Sequence, residues 1–265
     1  MIKIDGKTKV FGVIADPIEH VKATEIYNNR WLFKDKNYVM VPIHVSPSNL
    51  DKVLNGLRST SNFHGLCVTI PHKVELAKKC NILMPNAQQT GAVNVACFNK
   101  KRELIGENFD GEGFVSGLKA KGFSVKGKKI FISGAGGAAR GIAFAMAKYK
   151  ASLIVLSNRT KDKAIVLADS IKSWYPGFSI IVSNDTSGCE ILINTTSLGL
   201  NNEDKLPFEI DSSSSSTLVA DIIMQPELTK LLRLAQSKDL KIHFGKHMLN
   251  YQADLMEKFL TKHII

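Results

Sequence analysis

The chain has 265 residues, 44% of them hydrophobic and 22% charged, the balance of a globular protein long enough for one large domain or two ordinary ones. Its formal net charge of +11 attracts anions. However, the lysines are scattered and no basic cluster is interleaved with aromatic residues, so we expect no nucleic-acid partner. The four cysteines have no C-x-x-C spacing, so we expect neither a metal site nor a redox pair.

The first part of the chain alternates between strand and helix patterns. Short apolar runs predict strands, and apolar residues at helical spacing predict helices. In chain order, the predicted elements are a strand at residues 10–14, a helix at 24–34, a strand at 38–43, a helix at 49–57, a strand at 65–70 and short strands at 93–98 and 104–105. This order predicts an open α/β sheet.

The second part repeats the alternation and predicts a doubly wound fold. Strands are predicted at residues 128–133, 153–156, 179–182, 191–193 and 218–222, and helices after Asp110 and at residues 137–149, 161–174, 226–237 and 247–262. We place the domain seam near Gly106 and a return crossing near Asp239. The expected domains are therefore residues 1–105 with 239–265, and residues 106–238.

No apolar run approaches the length of a membrane span, and the N-terminal residues show no signal-peptide core. Free thiols suit a reducing compartment. We therefore expect a cytoplasmic protein without a membrane partner.

A glycine-rich turn follows the strand predicted at residues 128–133. Such a turn lets backbone N–H groups approach a pyrophosphate, and the helix that follows adds the positive end of its dipole. The residues concerned are Gly134, Ala135, Gly136, Gly137 and Ala138. A plain tight turn is the alternative, but an apolar strand before it and an alanine-rich helix after it favour a dinucleotide site.

The end of the next strand indicates which dinucleotide binds. An acidic residue there would bind a ribose 2′-hydroxyl and favour NAD, but the sequence has Asn158, Arg159, Thr160 and Lys161. Arginine and lysine suit a 2′-phosphate, so the pattern favours NADP. The alternative is that Arg159 and Lys161 merely face water at the start of a helix.

Several separated motifs together resemble the shikimate dehydrogenase family. They span nearly the whole chain in the right order: residues 13–20 (VIADPIEH), 68–73 (VTIPHK), 91–94 (GAVN), 106–111 (GENFDG), the glycine turn, 158–160 (NRT), 194–199 (NTTSLG), 221–229, and Met248-Leu249 with Gln252. The resemblance implies a two-domain enzyme with its substrate in the cleft between an N-terminal α/β domain and a C-terminal Rossmann domain. It also implies NADP as cofactor, a small-molecule substrate and a monomer or homodimer.

The resemblance further implies roles for individual residues. Lys73 and Asp110 fall on the catalytic pair, which suits the oxidation of an alcohol, where a base takes the proton and the nicotinamide takes the hydride. The substrate-binding positions fall on Thr69, Asn94, Gln252, Val21, Ala23 and Met224. Ile222 and Gly245 fall on positions that line the cofactor. On pattern alone, Lys73 would be a surface lysine and Asp110 a helix cap.

The sequence departs from the family pattern on the substrate side. Val21 and Ala23 stand where the family has two serines that hold the substrate carboxylate. Met224 stands in place of a tyrosine, Phe109 in place of a threonine and His247 in place of a glycine. Apolar side chains cannot hydrogen-bond a carboxylate. We therefore expect a changed pocket beside an intact cofactor site.

We predict an NADP-dependent oxidoreductase that interconverts shikimate and 3-dehydroshikimate or a closely related cyclic hydroxy acid. The alternative is a shikimate-dehydrogenase-like protein that binds NADP(H) but has a different substrate or little turnover. The retained Lys73 and Asp110 argue against a pure binding protein, and the missing serines argue for it.

Overall fold

The structure is a computed structural model, and it describes residues 4–19, 21–210 and 213–262. The chain forms two compact units. Unit 1 comprises Met1–Phe109 and Ala253–Ile265, and unit 2 comprises Asp110–Gln252.

Unit 1 contains a mixed six-stranded sheet flanked by helices. Its elements are β1 (Lys9–Ala15), α1 (Ala23–Phe33), β2 (Tyr38–His44), a short 3-10 helix (Pro47–Asn49), α2 (Leu50–Ser59), β3 (Phe63–Val68), α3 (Lys73–Lys79), β4 (Ile82–Leu83), α4 (Pro85–Thr90), β5 (Val95–Phe98) and β6 (Leu104–Glu107). The strand order is β2-β1-β3-β5-β6-β4. The first three strands are parallel, and β5 runs antiparallel to both β3 and β6.

Unit 2 contains a parallel six-stranded sheet. Its elements are α5 (Asp110–Ala120), β7 (Lys129–Ser133), α6 (Gly137–Lys148), β8 (Leu153–Ser157), α7 (Lys161–Trp174), β9 (Ile180–Val182), β10 (Ile191–Asn194), β11 (Leu218–Asp221), α8 (Lys230–Ser237), β12 (Lys241–His243) and α9 (Gly245–Lys262), whose second half belongs to unit 1. The strand order is β12-β11-β10-β7-β8-β9. The predicted α/β class and doubly wound second half are confirmed.

Alternation of side chains places a separate apolar core on each face of each sheet. In β8, Ile154 and Leu156 face one cluster while Val155 faces the other. In β3, Leu66 packs into one cluster and Cys67 into the opposite one. The strands are therefore buried on both sides, which is why they read as continuous apolar runs.

Some elements differ from the predicted ones. Helix α8 begins at Lys230 rather than residue 226, because the Thr229 hydroxyl caps it by accepting from the N–H of Leu232. The bounds of the two units also differ from those of the expected domains. Residues 239–252 lie in unit 2, where strand β12 pairs with β11, and residues 106–109 lie in unit 1. The short elements α3, α4, β4 and β12 had no predicted counterpart.

Candidate functional site

The motifs of unit 1 converge where β1 and β3 end. The N–H of Thr69 donates to the carbonyl of Ile14 at 3.1 Å, and the N–H of Val68 donates to the carbonyl of Asn94 at 2.8 Å. The N–H of Val93 donates to the carbonyl of Lys73 at 2.8 Å. These bonds bring the backbones that carry Thr69, Lys73 and Asn94 together at one end of the sheet, where side chains of an α/β protein form sites.

Asn94 is buried and hydrogen-bonded among these segments of unit 1. It is 1% exposed, and its side-chain Oδ1 accepts from the N–H of Phe109 at 3.1 Å. Lys73 is half-buried at the first position of α3. In unit 2, Asp110 is fully buried at the first position of α5. His20, the last residue of the first motif, lies outside the described residues.

Three of the residues that depart from the family pattern lie in one apolar environment: Val21, Ala23 and Phe109. All three are partly buried and pack against the same core cluster of unit 1, whose members include Tyr27 and Trp31. Val21 and Ala23 offer no side-chain donor. These two side chains therefore contribute shape and apolar contact rather than hydrogen bonds.

The glycine turn of unit 2 leaves open space at the N-terminus of α6. Gly134 has a φ of +118°, a conformation that side chains rarely adopt, and an added Cβ would collide with Thr195 Oγ1. At Gly136, the position of an added Cβ has no heavy atom of the described residues within 4 Å. Because Gly136 is the N-cap of α6, this open space lies at a helix N-terminus, where anions bind.

The end of β8 carries the residues predicted to select NADP. Arg159, Thr160 and Lys161 are exposed there, and Lys161 is the first residue of α7. Asn158 Nδ2 donates to the carbonyl of Thr160 at 2.8 Å, so the Asn158 side chain shapes the loop. The two exposed cations fit a phosphate at this end of the sheet.

A buried carboxylate organises the neighbouring strand ends. Asp221, at the end of β11, accepts from Asn194 Nδ2 at 3.1 Å, the N–H of Ile223 at 3.0 Å and Thr229 Oγ1 at 2.8 Å. Burial raises the pKa of Asp221, and these hydrogen bonds oppose the rise. Sequence reasoning assigned Asp221 no role. Its place at a predicted strand end and its place at the start of the motif at residues 221–229 were the available signals.

Gly245 lies against the loop that follows β11. An added Cβ at Gly245 would lie 2.5 Å from the carbonyl oxygen of Ile223 and 2.6 Å from that of Ile222. The structure thus places the two predicted cofactor-lining residues, Ile222 and Gly245, side by side. Met224, two residues further along the loop from Ile222, is half-buried.

Gln252 has an unsatisfied polar atom. The residue is 8% exposed, and within the described part of the chain its buried Oε1 has no hydrogen-bond partner. Gly113 of α5 approaches Gln252 so closely that an added Cβ would lie 2.6 Å from the Gln252 Cβ. Buried acceptors are rarely left unpaired, so Oε1 is available to a ligand hydroxyl.

A histidine pair lies at the start of α9. His243 is 1% exposed, and its ring centroid lies 4.9 Å from that of His247 and 5.7 Å from that of Phe114. Burial, with smaller contributions from His247 and Lys121, lowers the pKa of His243 to about 4. Within the described residues, neither ring nitrogen of His243 has a hydrogen-bond partner.

His243 is expected to make the stability of the protein fall in acid. An unfolded histidine takes up a proton near pH 6.5, whereas folded His243 resists protonation down to about pH 4. The unfolded state therefore binds more protons between these values, and the free energy of unfolding falls by about 2 kcal/mol on going from pH 7.5 to pH 5. Well above pH 6.5 the residue is neutral in both states and contributes no pH dependence.

Urea denaturation at pH 7.5 and pH 5 measures this effect. His243→Phe is expected to reduce the difference in free energy of unfolding between the two pH values by that amount. The exposed Val166, replaced by phenylalanine, serves as the control and is expected to leave the difference near that of the wild type, because it carries no titratable group. An unchanged difference in His243→Phe would show that other groups cause the acid sensitivity.

Unit 2 has the architecture of a dinucleotide-binding domain. Its strand order places β7 and β10 at the centre, where the topology reverses, with the glycine turn between β7 and α6. The site is therefore typical of a nicotinamide-dependent oxidoreductase with a second α/β unit.

Comparison with known proteins identifies the family. Residues 13–96 match the family model of the shikimate dehydrogenase substrate binding domain. A shikimate dehydrogenase (NADP(+)) from Gluconobacter oxydans (strain 621H) is 35% identical over 257 residues, covering 94% of this chain and 89% of the relative. The chain belongs to the shikimate dehydrogenase family.

Solved structures of two relatives have the same fold as this chain over nearly its full length. A shikimate dehydrogenase in complex with NADP+ has a TM-score of 0.90 at 34% identity, covering 98% of this chain and 92% of that one. The ligand-free 5-ketofructose reductase of Gluconobacter sp. strain CHM43 has a TM-score of 0.84 at 28% identity, covering 98% and 95%.

No helix in residues 4–19, 21–210 and 213–262 is both long and apolar enough to cross a membrane. Within the same ranges, no group of three or more histidine, cysteine or acidic residues is arranged to hold a metal ion.

Proposed function

We propose that the protein catalyses the reversible NADP-dependent oxidation of shikimate to 3-dehydroshikimate. The observation that carries this proposal is the similarity, over 94% of the chain, to an enzyme named shikimate dehydrogenase (NADP(+)). The solved relative in complex with NADP+ supports the choice of cofactor. We further propose that the enzyme works in the cytoplasm as a monomer or homodimer, without a nucleic-acid partner.

The residues of unit 2 fit the cofactor. The open N-terminus of α6 at Gly136 suits the pyrophosphate, and the exposed Arg159 and Lys161 suit the 2′-phosphate. Ile222 and Gly245, which lie side by side, would line the nicotinamide. When bound, NADP supplies the hydride acceptor of the oxidation.

Lys73 and Asp110 would handle the proton. Oxidation of a secondary alcohol releases the hydroxyl proton as the hydride leaves the same carbon. Lys73 Nζ accepts this proton and returns it in the reverse reaction, and the Asp110 carboxylate orients the lysine. Half-burial of Lys73 and complete burial of Asp110 restrict access of water to both groups.

Thr69, Asn94 and Gln252 would hold the substrate hydroxyls. Thr69 and Asn94 are brought together by backbone hydrogen bonds in unit 1, and Gln252 Oε1 is a buried acceptor with no partner among the described residues. A polyhydroxylated ring supplies the donors that such an acceptor requires.

A different substrate is the alternative, and a specific observation favours it. Val21 and Ala23 are apolar and pack against the same core cluster as Phe109, so they provide no side-chain donor for a carboxylate. A relative of similar fold is named 5-ketofructose reductase. Shikimate remains the proposed substrate because the more similar relatives carry the shikimate dehydrogenase name.

A spectrophotometric assay of NADPH formation tests the proposal. We expect turnover with shikimate and NADP+ that exceeds turnover with quinate, and a lower kcat/KM with NAD+ than with NADP+. The reverse reaction is followed with 5-ketofructose as well as 3-dehydroshikimate. Turnover of 5-ketofructose alone would establish the alternative, and tight NADPH binding without turnover of any of these compounds would contradict catalysis of this reaction.

A further inference from the structure

We propose that Asn184 is a further specificity-determining residue, which helps the protein select NADP over NAD by hydrogen-bonding the 2′-phosphate of the adenosine. This inference rests on the proposed use of NADP. The observation that carries it is a hydrogen bond between the loop after β9 and the end of β8.

The topology brings Asn184 to the right edge of the sheet. Strand β9 runs parallel to β8, and the N–H of Ser183 donates to the carbonyl of Leu156 at 3.1 Å. Both strands therefore end at the same edge, with Asn184 beside Ser157. In a doubly wound sheet this edge is the one against which the dinucleotide binds.

A hydrogen bond between side chains sets the direction of the Asn184 amide. Ser157 Oγ donates to Asn184 Oδ1 at 2.6 Å. The acceptor oxygen of the amide is engaged, and within the described residues its two N–H donors remain for another acceptor. Asn184 is exposed, so these donors are accessible to a ligand.

The charges around Asn184 favour an anion. Arg159 and Lys161 follow Ser157 on the adjacent loop, and both are exposed. The nearby Asp185 is engaged in its own turn, where its Oδ1 accepts from the N–H of Ser187 at 2.9 Å. Hydrogen bonding to Ser187 lowers the pKa of Asp185, so this carboxylate is ionised, and the two positive charges of Arg159 and Lys161 outnumber it.

The chemistry of the amide then determines selectivity. An asparagine donates to a phosphate, whereas a carboxylate at the same place would repel it and accept from a ribose hydroxyl. NAD lacks the phosphate, so the contribution of Asn184 is expected to be confined to NADP.

Isothermal titration calorimetry with NADP+ and NAD+ tests this inference. Asn184→Asp is expected to raise the dissociation constant for NADP+ by tenfold or more and to leave that for NAD+ unchanged or lower. Asn184→Ala should raise the constant for NADP+ by a smaller factor. Ser157→Ala removes the hydrogen bond that orients the Asn184 amide. It should therefore raise the dissociation constant for NADP+ more than that for NAD+.

Asn55→Asp provides a matched control, since Asn55 is exposed in α2 of unit 1 and its substitution makes the same change of charge. It is expected to leave both constants unchanged. Equal weakening of NADP+ and NAD+ in Asn184→Asp would overturn the inference, because it would indicate a general loss of loop structure. Unchanged constants would overturn it too. A wild type that does not bind NADP+ would instead refute the proposed function, and the inference with it.

Discussion

Lys73→Ala is expected to lower the rate of shikimate oxidation by about 10²–10⁴-fold and to leave NADPH affinity unchanged. The reaction must transfer the hydroxyl proton to a base, and water is a poor replacement for a positioned amine. Lys73 lies at the start of α3, and its carbonyl anchors the segment that carries Asn94. Because this anchor is a backbone group, the substitution removes the amine without removing the hydrogen bond.

Steady-state kinetics together with calorimetric titration of NADPH measure this result. Lys78→Ala is a matched control on the same helix, since the Lys78 side chain is 63% exposed and pairs with Glu75 at 2.7 Å. Exposed ion pairs contribute little, so its activity should equal that of the wild type. A Lys73→Ala variant that keeps a rate close to the wild-type rate would show that another group accepts the proton.

Arg102→Ala is expected to lower the free energy of unfolding by about 3–4 kcal/mol. The guanidinium donates four hydrogen bonds to carbonyl oxygens, those of Leu57, Arg58, Thr60 and Phe63, at 2.7–2.9 Å. It also stacks 4.4 Å from the ring centroid of Phe98. Two of these carbonyls belong to the last turn of α2, where helix carbonyls lack partners. Arg102 therefore ties the β5–β6 hairpin to α2 and β3.

Urea denaturation followed by far-UV circular dichroism measures the loss. Arg102→Lys keeps the charge but loses the planar guanidinium with its several donors, so it should recover only a small part of the stability. Arg102→Gly should be less destabilised than Arg102→Ala, because the backbone at this residue has a φ of +59°, which glycine adopts without strain. The exposed neighbour Lys101, replaced by alanine, is the control. A loss in Arg102→Ala no larger than that in Lys101→Ala would contradict this role.

Much of the molecule follows from local patterns in the sequence. The parallel sheet of unit 2 was predictable because strands buried on both faces are apolar throughout and are separated by helices of ordinary length. The glycine turn was predictable because its glycines lie between an apolar strand and an alanine-rich helix, and the positive φ of Gly134 explains why a glycine is needed there. The family motifs marked Lys73, Asp110 and Gln252 as candidates, although their roles remain predictions.

Other features were decided only by the tertiary structure. The short elements β4 and β12 contain too few residues to show a period, and they become strands because a neighbouring strand pairs with them. The antiparallel course of β5 depends on which strand it meets, which no local pattern records.

The contacts that matter most for function and stability also join residues far apart in the chain. Ser157 meets Asn184, Asp221 meets Asn194, and Arg102 meets the carbonyls of α2, each because the strand order brings distant loops to one edge. Sequence periodicity shows which face of an element is buried, but it does not show which element covers that face. The sequence therefore determined the fold class and the candidate residues, and the packing of the strands determined which side chains meet.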